Sequence, residues 1–252
     1  MYAGVLDLRE QVGSDILELL VASDELLIEE LVVFVQNYLI EKETEWLRQN
    51  FSKVLHTVFP LVNCKKLRDY CLDSICDEPE SFFNSKDYQM LEKDILLELF
   101  KRMDLIIDEI ELWNFLIDWG ISRTSELTNK DKSNLNIWKK EDFLALRNTL
   151  KPFVSHIRFF DISSKCFTTE VLPFKKLLPK SLLKNVVSFH TTNTEPKKSK
   201  LAPRYGKIDI DSLIVKPKHA TIFANWIQRK DANAKIPKDK FSFTLIYHGS
   251  KV

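Results

Sequence analysis

The chain has 252 residues, 44% of them hydrophobic and 29% charged, with 17 Phe but only 5 Gly; so few glycines leave little room for the φ > 0 turns and close backbone approaches of a dinucleotide or P-loop enzyme, and point to helices packed on aromatics. The net charge of +1 hides an asymmetry, since residues 1–50 carry 11 acids against 3 bases and residues 175–252 carry 17 bases against 5 acids. The lysines of the basic end are scattered along the chain, not stacked on one helix face, so they read as the ordinary surface of a separate domain; no nucleic-acid partner is expected.

From Ser14 to about Ile40 the pattern is helical. Ser14 is the expected N-cap, Ser23-Asp24-Glu25 the expected break, and Leu31, Phe34, Val35 and Tyr38 the expected inner face at i, i+3, i+4, i+7. Asn50 then caps a run with Phe51, Val54, Leu55 and Val58 on one side, stopped by Pro60. Asn63 opens a further helix with Leu67, Tyr70, Cys71, Ser74 and Ile75 inward, ending before Pro79. The two helices predict an antiparallel pair. Ile95, Leu96, Leu99 and Met103 mark another run. Asp108 and Glu111 have capping-box spacing ahead of Leu112, Phe115, Leu116 and Trp119, and Gly120 stands where a C′ glycine belongs.

Residues 121–138 are polar and predict an exposed, mobile loop of unusual length. A helix resumes at Lys140 with Phe143, Leu146 and Leu150 inward and meets Pro152. Short helices are expected from there through Val186. Residues 190–206, with two prolines and no helical period, are the linker candidate. Beyond it, residues 207–215 alternate like a strand, 219–229 read as a short helix, and Phe241, Phe243, Leu245 and Tyr247 alternate as a second strand. A strand cannot satisfy its own edges, so the sequence is expected to stop inside a domain.

Little in the sequence signals catalysis. His56, His156, His190, His219 and His248 stand in no nucleophile, zinc or phosphate motif. Cys64, Cys71, Cys76 and Cys166 contain no CxxC pair and no histidine at a zinc offset, so buried thiols of a reducing compartment are expected, with no metal and no cofactor. Glu29, Glu30, Glu92 and Asp94 fall on polar helix faces, while Trp113 and Trp119 have core spacing. Lys197, Lys198 and Lys200 form a short basic cluster in the linker. Met1–Leu8 lack the features of a secretory signal, and no apolar run reaches membrane-span length.

Three stretches together resemble known domains. The opening YAGVLDL and the following SDILELLVASDELLIEELVVFVQNYLI are similar to the closing part of a BTB (POZ) domain, through Tyr2, Ala3, Gly4, Leu19, Leu20, Ala22, Ser23 and Leu31. NCKKLRDYCLDSI (63–75) and EIELWNFLIDWG (109–120) resemble a BACK domain, the second through Glu109, Trp113 and Trp119. FVSHIRFFDISSKCF and VLPFKKLLPKSL resemble the later helices of BACK domains that precede TLDc domains. DSLIVKPKHATIFANWIQRK resembles the start of a TLDc domain, through Asp211, Ser212, Ile214, His219, Ala220, Trp226 and Ile227, and FSFTLIYHGS resembles its first strand.

The resemblance implies a mainly α fold, a helical BACK-type array with a C-terminal α/β fragment. It divides the chain into a BTB tail (1–40), a BACK domain (41–189), a linker (190–206) and the opening of a TLDc domain (207–252). It implies a non-enzymatic protein-interaction adaptor, cytoplasmic and open to the nucleus, that bridges a cullin-based ubiquitin ligase and an unidentified substrate. The cullin-facing region matches about Trp46 to Ile75, with Trp46, Leu47, Phe51, Val54, Leu55 and Leu67 as the candidate partner-binding residues. The other end implies an alternative, a stress-response protein associated with the vacuolar proton pump. Most of the BTB and TLDc domains is missing, dimerisation surface included, so a truncated fragment without function is the third expectation.

Overall fold

A computed structural model describes residues 7–85, 87–127 and 130–192, and beyond them Leu201, Arg204 and positions 209–210, 222–223, 226–227, 229 and 242–243. The described chain is mainly α-helical. It divides into two compact units, Met1–Ile75 with Met90–Leu96, and Cys76–Gln89 with Leu97–Val252.

The first unit begins with α1 (Gly13–Glu25) and α2 (Glu29–Lys42), which pack against each other. Helix α1 starts one residue before the expected cap, and the Ser14 hydroxyl donates to Asp15 Oδ1 at 3.2 Å. The break also comes later than expected. The Ile28 N–H donates to the Ser23 carbonyl (3.0 Å) and the Leu27 N–H to the Asp24 carbonyl (3.1 Å), the bonding pattern of a Schellman cap. Such a cap needs a left-handed residue, and Leu27 supplies it at φ 57° in place of the usual glycine. The inner face of α2 is Val32, Val35, Gln36 and Leu39, and Phe34 is exposed. The expected face was therefore rotated, because a buried glutamine is invisible to an apolar count.

Next come α3 (Thr44–Gln49), α4 (Phe51–Val58) and α5 (Lys65–Asp77), the last entered through a 3-10 turn at Val62–Cys64. Phe51, Val54, Leu55 and Val58 are all buried, as their spacing predicts. Trp46 lies over Gly13, where any Cβ would collide with the indole. The boundary expected at 40–41 falls inside α2, and α3 and α4 pack on the same helices that carry the residues before it.

The second unit contains α6 (Pro79–Asn84), the end of α7 (Lys93–Lys101), α8 (Glu109–Arg123), α9 (Lys140–Leu150), α10 (Ser164–Cys166) and α11 (Lys180–Thr192), joined largely by single helical turns. Its core is aromatic. Trp113 meets Phe159 edge-on at 5.4 Å, Trp119 meets Phe153 at 5.1 Å, and Phe153 meets Phe100 at 5.4 Å. Trp113 and Trp119 are buried as their spacing predicts.

Gly120 is not a helix terminator. Helix α8 continues to Arg123, and a Cβ at Gly120 would stand 2.5 Å from Leu150 Cδ2 and 2.8 Å from Leu146 Cδ1. The glycine lets α9 approach α8 closely, and the Thr124 hydroxyl takes the Gly120 carbonyl at 2.7 Å. Asp108 occupies the N-cap, but its carboxylate makes no cap bond. The stretch expected to be an exposed loop is pinned at both ends. Leu127 and Trp138 are buried, the Trp138 indole N–H donates to the Asp131 carbonyl at 3.0 Å, and Lys132 pairs with Asp118 at 2.6 Å.

Helix α11 runs through the expected start of the linker at 190, and Arg204 within the linker is buried. In the C-terminal stretch Asp209–Ile210 pairs in parallel with Ser242–Phe243. The remaining expected strand and helix positions of 207–252 lie largely outside the described residues, as do Tyr2, Ala3, Gly4, the Lys197–Lys200 cluster, Asp211, Ser212, Ile214, His219 and Ala220.

Candidate interaction surfaces

The six residues expected to meet a partner come together in the first unit. Leu47, Phe51, Val54, Leu55 and Leu67 are buried and Trp46 is half-buried over Gly13. Five of the six are thus core, and their side chains hold the helices whose outer faces would carry a contact. Those outer faces present Lys53 and His56, with His56 Nδ1 3.1 Å from the Glu92 carboxylate. Gln36 anchors this unit. Its amide nitrogen donates to the Asn63 carbonyl at 3.0 Å, and its oxygen accepts from the Leu67 N–H at 3.1 Å. That N–H belongs to the first turn of α5, where a helix has no internal acceptor. Gln36 therefore performs the capping expected of Asn63, whose own side chain donates to Asp24 at 2.9 Å.

In the second unit the corresponding anchor is charged. Glu109 is buried at the start of α8, and two buried arginines reach it. Glu109 Oε1 accepts from Arg204 Nε at 2.8 Å and Oε2 from the Arg158 backbone N–H at 3.0 Å, with the Arg158 guanidinium 3.5 Å away. The Arg204 guanidinium also donates to the carbonyls of Phe100 (3.2 Å) and Arg102. Burial and the neighbouring Arg204 charge push the Arg158 pKa down, and Glu109 acts against them. The arrangement spends its polar capacity internally, as a structural clasp does.

A groove opens elsewhere on this unit, about 560 Å3 in volume. Lys140, Phe143, Leu144 and Arg147 of α9 stand at i, i+3, i+4 and i+7 and so share one face. The facing wall is Lys175, Lys176, Leu178, Lys180 and Leu183. The floor is apolar and the rim carries five cations. Lys176 Nζ sits 4.3 Å from the centre of the Phe143 ring, a cation–π contact. Among the described residues, none of the five forms an ion pair. The helix bearing half of this rim is capped by Asp142, which accepts the Lys139 backbone N–H at 2.8 Å and pairs with Lys130 at 3.0 Å. These contacts hold its carboxyl below the usual range. The basic end is therefore less scattered than its sequence spacing indicates, since folding gathers Lys175, Lys176 and Lys180 beside Lys140 and Arg147.

The remaining polar chemistry is modest. His190 Nε2 lies 3.2 Å from the Phe159 carbonyl and Nδ1 lies 3.1 Å from the Ser164 hydroxyl, but Phe167 stacks on the imidazole at 4.5 Å and, among the described residues, no carboxylate joins the pair. Burial raises the Cys64 thiol to about 11 and raises Cys71 further. Among the described residues no group of three or more His, Cys, Asp or Glu is placed to hold a metal ion. None of the described helices is long and apolar enough to cross a membrane. No family model, curated protein or solved structure matches the chain.

Proposed function

We propose that the chain is a protein-interaction adaptor of BTB–BACK type, with residues 207–252 as the opening of a TLDc domain, that bridges a cullin-based ubiquitin ligase and a recruited substrate. The observation that carries this reading is the groove of the second unit. Its cationic rim, and a lining that among the described residues holds no His, Cys, Ser, Asp or Glu to act as nucleophile or base, suit the capture of a polypeptide segment better than the turnover of a small molecule. The sequence resemblance supplies the cullin, on the outer faces of the helices between Trp46 and Ile75. Five of the named side chains shape those faces from beneath and do not touch the partner.

Titrating the full chain against purified cullin N-terminal domains tests the reading. Saturable binding is expected, weakened by Lys53→Glu on the exposed side of α4 while the circular dichroism melt is unchanged. Absence of binding to every cullin N-terminal domain overturns the cullin half of the proposal.

A further inference from the structure

Resting on the adaptor reading, we infer that the groove between α9 and the 175–183 wall receives an acidic amphipathic helix of the recruited protein. Charge complementarity selects the occupant. Lys140, Arg147, Lys175 and Lys180 are exposed around the floor, no acid lines it among the described residues, and Leu144 at 55% exposure offers apolar surface that a bare anion would leave wet. A nucleic acid would want an open ring for base stacking, but Phe143 is buried beneath Lys176. A membrane surface would want a projecting apolar edge, and this one is concave. The eleven residues of α9 make a wall about 16 Å long, which matches three turns of a docked helix. An apolar stripe at i, i+3, i+4 and i+7 would cover the exposed Leu144 and the half-buried Leu183, and flanking glutamates would meet the rim.

The probe is a dye-labelled synthetic helix of about 14 residues, Leu at i, i+3, i+4 and i+7 with Glu on both flanks, titrated by fluorescence anisotropy against the full chain. Saturable binding is expected that weakens as salt rises. It falls at least about tenfold in the double variant Arg147→Glu with Lys180→Glu, and about fivefold in Leu144→Ser. All three side chains are solvent-facing, so unchanged melts are expected. Equal binding of a peptide with Lys in place of every Glu overturns the inference, as does insensitivity to the groove substitutions. Tighter binding of phosphatidylserine vesicles or a single-stranded oligonucleotide, lost in the same double variant, reassigns the groove and overturns it as well. Cullin titration of the same variants separates the two proposals: cullin bound with peptide refused sinks the groove inference alone, and peptide bound with every cullin refused sinks the cullin reading alone.

Discussion

Among the described residues, each unit has a buried polar side chain that ties distant segments together, Gln36 in the first and Glu109 in the second, and the two differ in charge. In the first unit Gln36 joins α2 to the start of α5 with a neutral amide that both donates and accepts. In the second, Glu109 holds two arginines. A neutral amide loses only its own hydrogen bonds when removed. Removing a buried carboxylate takes from the buried Arg204 the acid it pairs with and from Arg158 one of the acids beside it, so the second unit depends on one residue more heavily than the first.

Glu109→Ala therefore has the largest expected effect, a loss of about 3–5 kcal/mol in the stability of the second unit, because the buried Arg204 loses the carboxylate it meets at 2.8 Å and Arg158 loses one of the acids that favour its charge. Amide hydrogen exchange would show it as faster exchange in α8 with α2 unchanged. Equal exchange in both units would end the comparison. Replacing Gln36 with Ala comes next, at about 1–3 kcal/mol, since the Leu67 N–H and the Asn63 carbonyl then lack their partner. The exchange pattern should reverse, with α2 and α5 opening and α8 protected.

These two anchors also mark where sequence reading stops. Local periodicity predicts the Phe51–Val58 and Phe143–Leu150 faces because a 3.6-residue repeat depends only on neighbours. Glu109 stands first in its helix and enters the sequence reading only through the BACK-domain resemblance, since its partners lie 49 and 95 residues away. Gly120 reads as a terminator for the same reason, its true neighbours being Leu146 and Leu150 on another helix. The candidate groove was half legible. The Lys140–Arg147 face is a helical repeat, but the facing wall from Lys175 to Leu183 is carried on a 3-10 segment and the start of α11, which share no period with it. The six residues expected to bind a partner fall in one unit, and five of them are buried, because an amphipathic pattern names the buried face of a helix and leaves its exposed face unmarked.

A smaller effect of opposite sign sharpens the contrast at a helix end. Leu27 closes its Schellman cap at φ 57° while 78% exposed, so it is strained and buries little. Leu27→Gly should stabilise the first unit by about 1 kcal/mol, read as a higher denaturation midpoint at constant slope. A destabilisation would mean that glycine's extra freedom in the unfolded chain outweighs the strain it relieves.

The smallest expected effect is one of pH, and it belongs to the second unit. Burial, then Lys101, Arg204 and Arg158, lower the His156 pKa, and burial lowers that of His190 against an opposing bond to Phe159. An imidazole whose folded pKa lies below its unfolded value, about 6.5, binds fewer protons folded than unfolded. Stability is then intact above that value, declines as pH falls through it, and stops declining beneath the folded pKa. The melting temperature of the second unit should drop between neutral and mildly acidic pH, and His156→Gln should flatten the slope by taking away a group whose protonation burial and the nearby cations oppose. The Gln36 anchor does not titrate, so exchange at the Leu67 amide should stay level across that window once intrinsic exchange is corrected for. A parallel decline there would show that the two units do not unfold independently, and the comparison between their fasteners would then concern one cooperative structure.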